Sequence, residues 1–547
     1  MKHLRLKITL AFALASVGNI FSQTYTRYWI AFSDKNGSAY SISNPQQFLS
    51  QRAINRRINQ GISITNEDIP VNASYIQQVE NIGALVTCRS RWLNGVVVKI
   101  TDPSQLDSIT NLSFVIDLKP LARTRPTKKY IPTARPIILD NQKTTANQSD
   151  RFNYGLSQGQ IYLLNGQCLH NQGYDGTGMQ IAVIDDGFIY SPYMSVFDSL
   201  WHNHQVIASH DFLNDSDTLA YTEGGHGSEV LSCMASNLSG QMIGTAPYAK
   251  YYLLRSEIDS TEKIIEEYQW VAAVEYADSA GADVVNSSLG YTEFDDASMN
   301  HTWADLNGRT SVASISATMA SRRGMVICVA AGNEGNSAWR KISVPADADS
   351  ILAVGATDAT GNYANFSSQG YSADRRVKPD VSAQGANTII CYTSNNIGAG
   401  SGTSFASPTM AGMVACLWQG NPTKTNMEVI NAIKQSASQF SAPDSLLGYG
   451  IPNFCVADQI LKNIQGIKAF QNQPIFKIYP NPANTILNIV INSNDVENVK
   501  IYDVLGNTVN ILSNSIKEGN IIFDISSLPS GVYFIRLGTI TQKFIKQ

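Results

Sequence analysis

The chain has 547 residues, of which 43% are hydrophobic and 15% are charged, and its formal net charge at pH 7 is −4. This length exceeds what one hydrophobic core normally holds, so roughly two to four domains are expected. The composition is that of an ordinary globular protein, which excludes a largely disordered chain.

The first residues have the composition of a secretory signal peptide. Three basic residues precede an apolar run from Ile8 to about Val17, and Ser22 follows near the end. This pattern predicts a signal peptide over residues 1–23. No later stretch reaches the roughly 18 consecutive apolar residues that a membrane span needs, so we expect an exported, soluble mature protein.

Seven cysteines are scattered along the chain, and no two of them form a CxxC pair. They are too few for a disulfide framework, and an odd number leaves at least one thiol unpaired. Cys233, Cys328 and Cys416 fall within apolar helix or strand patterns, so we interpret them as core residues. The sequence does not predict a pairing.

Residues 24–122 combine short strand patterns with two predicted helices, one in NPQQFLSQRAINRRIN and one near Pro103 to Ile109. Residues 24–130 contain thirteen Lys and Arg against seven Asp and Glu, whereas the remainder of the mature chain is acidic. Two interpretations of this charge difference are open: the front domain docks electrostatically on the acidic remainder of the chain, or it has a basic face that is exposed to solvent. Residues 123–154 are rich in Pro, Thr and basic residues, which predicts an exposed linker.

Residues 155–465 alternate between continuous apolar runs and helical patterns. The runs are QIAVIDDG, KYYLLRS, ADVVNSSLG, MVICVAAGN and ILAVGAT, and the helical patterns are EKIIEEYQWVAAVEYA and TSVASISATMASRRG. Apolar runs of this kind are typical of a parallel sheet covered by helices on both faces. Ligands bind at the carboxyl ends of the strands in such sheets.

From residue 475 to residue 547 the pattern changes to short alternating strands separated by Pro, Gly and Asn turns. This alternation predicts a small all-β sandwich.

Four polar residues stand where core packing does not require them. Asp185 closes the apolar run IAVI, His226 lies among glycines in GGHGSEV, Asn333 follows VAAG, and Ser404 opens the charge-free stretch 400–420. Each has an ordinary structural interpretation when taken alone, because Asp and Asn are common in turns and Ser is a preferred helix cap.

Taken together, these residues supply the parts of a nucleophilic hydrolase. A serine hydroxyl becomes a good nucleophile when a base takes its proton, and the base must be held in the right tautomer by an acceptor. Ser404, His226 and Asp185 can fill these three roles. The amide of Asn333, with the backbone N–H of Ser404, could then stabilise an oxyanion.

The segments IAVIDDG, GGHGSEV, AAGNEG and GTSFASP resemble, in order, the four signature blocks of the subtilisin-like serine proteases. The resemblance covers roughly residues 155–465 and includes GTAPYAK, NSSLG and KPDVSAQG. The order Asp, His, Ser is also that of subtilisin. The resemblance implies an α/β, subtilisin-like three-layer fold with a mostly parallel sheet.

The resemblance also implies residue roles. Asp185 would be the triad acid, His226 the base, Ser404 the nucleophile and Asn333 the oxyanion donor. Two segments would form the walls of the pocket for the residue before the scissile bond: Ser288, Leu289 and Gly290, and Ala331 with Gly332.

One departure from the family pattern is Asp186, where the family usually has Ser or Thr. This second carboxylate could disturb the titration of the triad acid. We assign the acid to Asp185 because it adjoins the strand.

The flanking segments resemble known accessory domains. Residues 24–122 resemble, as a small α+β unit, the propeptide of these proteases, which implies an intramolecular inhibitor and a processing site within residues 123–154. Residues 475–547, with YPNPA, VKIYDVLG and SLPSGVYFIRL, resemble the C-terminal sorting domain of proteins exported by the type IX secretion system of Bacteroidetes. The implied partner is that secretion machinery, and the implied location is secreted or cell-surface, after export through periplasm and outer membrane.

The resulting hypothesis is a secreted serine endopeptidase that hydrolyses polypeptides through an acyl-enzyme on Ser404. Two alternatives stay open: a catalytically silent surface binding protein on the same fold, and an exopeptidase of the same family. Loss of a catalytic residue would mark the silent protein, and none is lost.

We expect no cofactor for catalysis and no nucleic-acid partner. Subtilisin relatives often bind structural calcium, but the sequence assigns no metal ligands. The Asp-rich stretch DFLNDSDT, which begins at Asp211, lacks the Gly and the closing Glu of an EF-hand, so we interpret it as a surface turn.

Overall fold

The computed structural model describes residues 25–123, 150–214, 220–258, 262–471, 476–491, 499–504, 506–509, 513–517, 520–537 and 540–547. The chain divides into two compact units with the boundary between Leu461 and Lys462. The predicted signal peptide and most of the predicted linker lie outside the described residues. Within them, no helix combines the length and the apolarity that crossing a membrane requires.

The first part of the larger unit is an α+β domain. Its elements are β1 (Tyr25–Phe32), α1 (Gln51–Gln60), α2 (Ala73–Asn81), β2 (Leu85–Ser90), β3 (Gly95–Lys99), α3 (Ser104–Thr110) and β4 (Val115–Arg123). The strands form an antiparallel sheet in the order β2-β3-β1-β4. Two helices were predicted and three are present. Helix α2 was not predicted; it starts where Asn72 Oδ1 accepts a hydrogen bond from Ser74 N at 2.9 Å.

Alternating side chains give this sheet two different buried faces. Ile30, Val96 and Val98 pack with α2 and α3 in the core of the domain. On the opposite face, Trp29 and Val97 belong to a second apolar cluster, which the domain shares with a helix of the following domain.

The second part of the larger unit contains the predicted α/β domain. Its helices are α4 (Gln158–Leu163), α5 (Gln167–Asn171), α6 (Asp198–His202), α7 (His226–Ala235), α8 (Ile265–Ala280), α9 (Val312–Arg322), α10 (Thr403–Gly420), α11 (Asn426–Gln435) and α12 (Phe454–Gln471), the last of which continues past the unit boundary. Its strands are β5 (Gln180–Asp185), β6 (Val206–Asp211), β7 (Asn237–Leu238), β8 (Met242–Ile243), β9 (Lys250–Arg255), β10 (Val284–Ser287), β11 (Val326–Ala330), β12 (Leu352–Thr357), β13 (Val381–Gln384), β14 (Thr388–Cys391) and β15 (Ile397–Gly400).

Seven of these strands form one parallel sheet in the order β13-β12-β11-β10-β5-β9-β6. Strand β5 has a continuously apolar sequence because both of its faces are buried. Ile181 and Val183 pack on one face with α7 and α10, whereas Ala182 and Ile184 pack on the other face with α8 and α9. This is the predicted three-layer arrangement.

The sheet topology places the predicted site residues at one edge. Strands β5, β10 and β11 are adjacent and parallel, with Ile184 opposite Ser287 and Ser287 opposite Val329. Their carboxyl ends therefore lie side by side, and Asp185, Ser288 and Asn333 all lie at or just beyond those ends.

Buried ion pairs attach the first domain to helix α8. Asp278 accepts hydrogen bonds from Nη2 of both Arg57 and Arg91 at 2.8 Å, and it also pairs with Arg56. Glu275 on the same helix accepts a hydrogen bond from the backbone N–H of Arg91 at 2.9 Å. The basic front domain thus docks electrostatically on an acidic helix, which was one of the two interpretations of its charge.

The smaller unit is all-β. Its strands are β16 (Phe476–Tyr479), β17 (Ile486–Ile491), β18 (Val499–Tyr502), β19 (Thr508–Val509), β20 (Ser513–Lys517), β21 (Asn520–Asp524), β22 (Gly531–Leu537) and β23 (Ile540–Lys546). They form two antiparallel sheets, β16-β17-β21-β20 and β19-β18-β22-β23. Leu487 and Phe523 of one sheet share a core with Ile501 and Ile535 of the other, as a sandwich requires.

One disulfide joins Cys168 in α5 to Cys455 in α12, with 5.8 Å between the Cα atoms. The other five cysteines are buried and form no disulfide in the described part of the chain. This agrees with the interpretation of Cys233, Cys328 and Cys416 as core residues.

Candidate active site

Asp185 and His226 meet because helix α7 begins against the carboxyl end of β5. His226 Nδ1 lies 2.7 Å from Asp185 Oδ1, and the Asp185 side chain is fully buried. Glycine makes this approach feasible, since a Cβ added to Gly227 would lie 2.3 Å from the backbone oxygen of Gly187. Because the carboxylate accepts the Nδ1–H hydrogen bond, Nε2 is left as the basic nitrogen.

The carboxylates around His226 control its titration. Burial disfavours the imidazolium, but the charge and hydrogen bond of Asp185, with the charges of Asp186 and Glu229, outweigh burial and raise the pKa of His226 to about 10. Burial, opposed by His226 and reinforced by Asp186, raises the pKa of Glu229 to about 7. The site therefore stabilises a positive charge on His226.

Asp186 has a structural contact of its own. Its Oδ1 accepts a hydrogen bond from Gly227 N at 3.1 Å, and its backbone N–H donates to Asp185 Oδ1 at 3.0 Å. The second carboxylate thus fixes the start of α7 and adds negative charge beside the imidazole.

Ser404 lies in the first turn of α10 and is 8% exposed. Its hydroxyl donates to the Ser288 carbonyl oxygen at 3.3 Å, and the Ser288 hydroxyl donates to the Ser404 carbonyl oxygen at 2.9 Å. The next residue, Phe405, has its ring centroid 6.1 Å from that of His226. The first turn of α10 therefore lies near His226, and the Ser404 hydroxyl points to Ser288 in this structure.

Asn333 is exposed, and its amide orientation is fixed by Thr403. Asn333 Oδ1 accepts hydrogen bonds from the backbone N–H of Thr403 at 2.8 Å and from its hydroxyl at 3.0 Å. The same hydroxyl accepts a hydrogen bond from Gly332 N at 3.2 Å. With its oxygen engaged in this way, Asn333 presents Nδ2 as a donor near Gly402, where an added Cβ would lie 3.6 Å away.

The two predicted pocket walls also come together. Ser288 and Leu289 are buried, as is Ala331. A Cβ added to Gly290 or to Gly332 would lie 2.2 Å or 3.0 Å from Ser343 Oγ. Both segments therefore pack against Ser343, and their glycines permit this close approach.

All the predicted site residues thus gather at one edge of the sheet. Sequence reasoning missed Thr403, whose hydroxyl bonds to Asn333 and Gly332, and Ser343, against which both pocket walls pack. Thr403 directly precedes Ser404 in the GTSFASP block, which was the available sequence signal. Ser343 lies outside the signature blocks and carried no such signal.

Two groups of described residues could hold a cation, because their carboxylate oxygens or imidazole nitrogens lie within 4.8 Å of one another. They are Asp185 with Asp186 and His226, and Glu257 with Glu262 and Glu266. The first group coincides with the predicted triad.

The surface-turn interpretation of the Asp-rich stretch does not hold for its first residue, Asp211, and residues 215–218 of the stretch lie outside the described residues. Asp211 ends β6, is 1% exposed and pairs with Arg255 at 3.1 Å. A buried cation thus satisfies the carboxylate that opened the Asp-rich stretch.

Comparison with family models identifies three regions. Residues 176–450 match the Subtilase family, residues 27–132 match the Peptidase S8 propeptide domain of Bacteroidota, and residues 477–547 match a secretion system C-terminal sorting domain.

Curated relatives agree with these matches. The chain is 31% identical over 310 residues to Subtilisin E from Bacillus subtilis, covering 56% of this chain and 71% of that protein. It is 31% identical over the same length to subtilisin from Bacillus pumilus, covering 98% of that protein. It is 26% identical over 450 residues to M-protease from Shouchella clausii, covering 80% of this chain and 97% of that protein.

Among solved structures, the fold is similar to that of fervidolysin from Fervidobacterium pennivorans, described as a keratinolytic enzyme related to subtilisin. The TM-score is 0.54 at 18% sequence identity, covering 94% of this chain and 71% of that chain. The chain belongs to the subtilase family of serine proteases, with a propeptide domain before the protease domain and a secretion sorting domain after it.

Proposed function

We propose that this chain is a secreted serine endopeptidase in which Asp185, His226 and Ser404 form the catalytic triad and Asn333 is the oxyanion donor. The observation that carries the proposal is the convergence of these four side chains at the carboxyl edge of the sheet, with His226 Nδ1 held 2.7 Å from Asp185 Oδ1. Ordinary core packing gives no reason to bring a buried carboxylate, an imidazole, a hydroxyl and an amide donor together.

The reaction begins with a rotation of the Ser404 hydroxyl from the Ser288 carbonyl toward His226. Catalytic hydrogen bonds are often formed only in the complex with substrate. His226 Nε2 accepts the hydroxyl proton while Ser404 Oγ attacks the scissile carbonyl. Asp185 holds the imidazole in the required tautomer and stabilises the imidazolium.

The negative charge that develops on the carbonyl oxygen is stabilised by Asn333 Nδ2–H and by the backbone N–H of Ser404. His226 then gives its proton to the leaving amine, which leaves an acyl-enzyme on Ser404. Water, deprotonated by the same imidazole, hydrolyses the ester and restores the enzyme. The segments Ser288–Gly290 and Ala331–Gly332 hold the substrate residue that precedes the scissile bond. No step requires a cofactor.

We assign residues 1–23 to the signal peptide, 24–122 to the propeptide, 123–154 to the linker that is cut, 155–465 to the peptidase domain and 475–547 to the sorting domain. The propeptide inhibits the enzyme from within the precursor, and Ser404 cuts the linker that follows it. Ser404→Ala precursor should therefore stay uncut. If the purified variant matures alone at the natural rate, processing occurs in trans.

The sorting domain acts in export through the outer membrane and takes no part in catalysis. Deletion of residues 475–547 should leave the refolded protein active and prevent its export. Loss of activity in the refolded truncation would contradict this separation.

Endopeptidase action is tested with internally quenched peptides blocked at both termini. An endopeptidase cleaves such peptides, whereas an exopeptidase needs a free terminus and leaves them intact. The natural protein, processed and folded, should cleave them and Ser404→Ala should not. Cleavage restricted to peptides with a free end would assign exopeptidase action, and no cleavage of any peptide would favour a silent binding protein.

A further inference from the structure

The loop that follows strand β5, residues 188–195, displays two exposed tyrosines that the proposed mechanism does not use. Tyr190 is 53% exposed, and Tyr193 is 80% exposed, which is the largest exposed fraction of any large hydrophobic side chain in the described part of the chain. Single exposed apolar side chains are ordinary on a protein surface. Two aromatic rings in one turn beside a candidate active site instead indicate a contact surface.

Buried residues hold this tyrosine loop in place. Phe188 is buried before the two tyrosines, Ser191 is buried between them, and Met194 is buried after them. The backbone N–H of Tyr193 donates to the carbonyl oxygen of Tyr190 at 2.8 Å, which closes a tight turn. The two rings are therefore displayed by an anchored turn.

The backbone of Tyr190 lies in the left-handed region, with a φ of 62°. This conformation is uncommon for a bulky residue and costs free energy, whereas glycine adopts it without strain. Strained backbone of this kind persists where the surrounding structure fixes it, and it is concentrated at functional sites. The turn alone therefore gives no reason for a tyrosine at this position.

The tyrosine loop is bonded to residues on both sides of His226. The backbone N–H of Ile189 donates to the carbonyl oxygen of Gly224 at 2.8 Å, and the carbonyl oxygen of Ile189 accepts a hydrogen bond from Ser228 Oγ at 2.8 Å. Tyr190 directly follows Ile189. The tyrosines therefore extend from the start of helix α7, where the proposed catalytic base lies.

A second connection joins the tyrosine loop to the segment that leads into Ser404. Asn395 lies in the turn between β14 and β15, and its Oδ1 accepts hydrogen bonds from Ser195 N at 2.9 Å and from Ser195 Oγ at 3.1 Å. Strand β15 ends at Gly400, and helix α10, which carries Ser404, begins at Thr403. The loop is thus bonded to the chain segments that carry the base and the nucleophile.

The proposed reaction determines which side of the cleft the tyrosine loop borders. The segments that hold the residue before the scissile bond, Ser288–Gly290 and Ala331–Gly332, follow strands β10 and β11. His226 gives its proton to the leaving amine, so the substrate residues after the scissile bond begin beside His226. Because the loop follows β5 and is bonded around His226, it borders the path of those residues.

We propose that Tyr190 and Tyr193 form a binding surface for the substrate residues after the scissile bond, and that this surface favours aromatic side chains there. Tyrosine suits this role because its ring is large, has few rotatable bonds and packs well against other aromatic rings. The inference rests on the proposed endopeptidase function, because it specifies which polypeptides that same site prefers.

The test uses the natural, processed enzyme and internally quenched peptides that are blocked at both ends. Phe is placed in turn at each of the first three positions after the scissile bond, and each peptide is compared with the same peptide carrying Ser there. Mass spectrometry of the products identifies the bond that is cut. Packing of the Phe ring on a tyrosine should favour Phe by at least about fivefold in kcat/KM at one position. Equal rates for Phe and Ser at all three positions would overturn the binding surface.

Variants then assign the preference to the two rings. In Tyr190→Ala/Tyr193→Ala the ratio of kcat/KM for Phe over Ser should fall to about one, because the rings that the Phe side chain packs on are gone. Phe440→Ala is the matched control, since Phe440 is an aromatic residue that is 45% exposed on the segment after α11, and this variant should retain the ratio. Persistence of the Phe preference in the double variant, or its equal loss in Phe440→Ala, would overturn the proposal.

A peptide methyl ester with the same acyl part separates binding after the scissile bond from the chemistry of the triad. Its leaving group is methanol, which carries no side chain that could contact the tyrosines. The ratio of kcat/KM for the Phe peptide over the ester should therefore fall by at least about fivefold in Tyr190→Ala/Tyr193→Ala. An unchanged ratio, caused by an equal fall for both substrates, would show that the tyrosines support the site as a whole and would contradict the proposal.

The same substrates distinguish failure of the binding surface from failure of the proposed function. If the wild type hydrolyses the ester and the peptides without preferring Phe, the binding surface alone is refuted. If the folded and processed wild type hydrolyses neither substrate, the endopeptidase function is refuted, and the binding surface with it.

Discussion

Replacement of Asn333 separates the chemistry of the site from its folding. Asn333→Leu keeps the approximate size of the side chain and removes both of its polar ends. The Nδ2 end is the proposed oxyanion donor, and the Oδ1 end accepts from the backbone N–H and the hydroxyl of Thr403 at 2.8 and 3.0 Å. The two losses have different consequences.

Loss of the donor should lower kcat by about 10² to 10³, or about 2.7–4 kcal/mol, with KM nearly unchanged, because the interaction exists only in the transition state. This range comes from subtilisin itself. Loss of the acceptor leaves buried donors of Thr403 unsatisfied, which should lower the free energy of unfolding by about 1–3 kcal/mol.

Asn333→Asp is the matched variant. It retains an oxygen acceptor for Thr403 and replaces the amide donor by a second, negatively charged oxygen. We expect a melting temperature nearer to that of the wild type, with kcat at least as low as in Asn333→Leu, because an anion would face the developing oxyanion.

The assay measures kcat, KM and melting temperature on the same preparation of each variant, with folded protein quantified separately. Loss of the donor should lower kcat by about 10² to 10³. If the melting temperature of Asn333→Leu falls while its kcat per folded molecule stays within about threefold of the wild type, Asn333 is structural and the oxyanion role is wrong.

Three further predictions follow from the charges and the disulfide. Asp186→Asn removes a charge that raises the pKa of His226. The acid limb of the pH profile of kcat/KM reports loss of the neutral base, so this limb should move to lower pH in the variant. An acid limb at the wild-type pH would refute the coupling between Asp186 and His226. Asp278→Asn leaves buried arginines without their anion. This should lower the free energy of unfolding of the precursor by about 3–5 kcal/mol, measured by urea denaturation. An unchanged urea midpoint would show that these ion pairs do not hold the propeptide domain. Cys455→Ser opens the Cys168–Cys455 bridge and should cost about 2–5 kcal/mol, measured by thermal unfolding against the wild type with and without reductant; equal melting temperatures in all samples would contradict it.

The sequence predicted the central strands because burial on both faces imposes a distinct pattern. Strand β5 packs apolar side chains against helices on both sides, so the run IAVI has no polar interruption before Asp185. The edge strands β6 and β13 were missed. Their sequences, VIASHD and VSAQ, mix polar with apolar residues and carry no continuous run.

The predicted site residues came together because each belongs to a signature block at a strand end or a helix start. Thr403 and Ser343 could not be assigned in the same way, since a Ser or Thr that contacts the site across the fold looks like any other in the sequence. The Cys168–Cys455 pair is similarly hidden, because 287 residues separate its members. The burial of Asp211 was not predicted, because its partner, Arg255, reaches it only through the pairing of β6 with β9.

The central claim is that Ser404 is an activated nucleophile. Its most direct test is labelling with a fluorophosphonate probe, comparing the natural protein with Ser404→Ala, followed by identification of the labelled peptide. The triad predicts one labelled residue, Ser404, in folded and processed natural protein, and no label in Ser404→Ala. Absence of label from the folded natural protein, or equal labelling of Ser404→Ala, would contradict it.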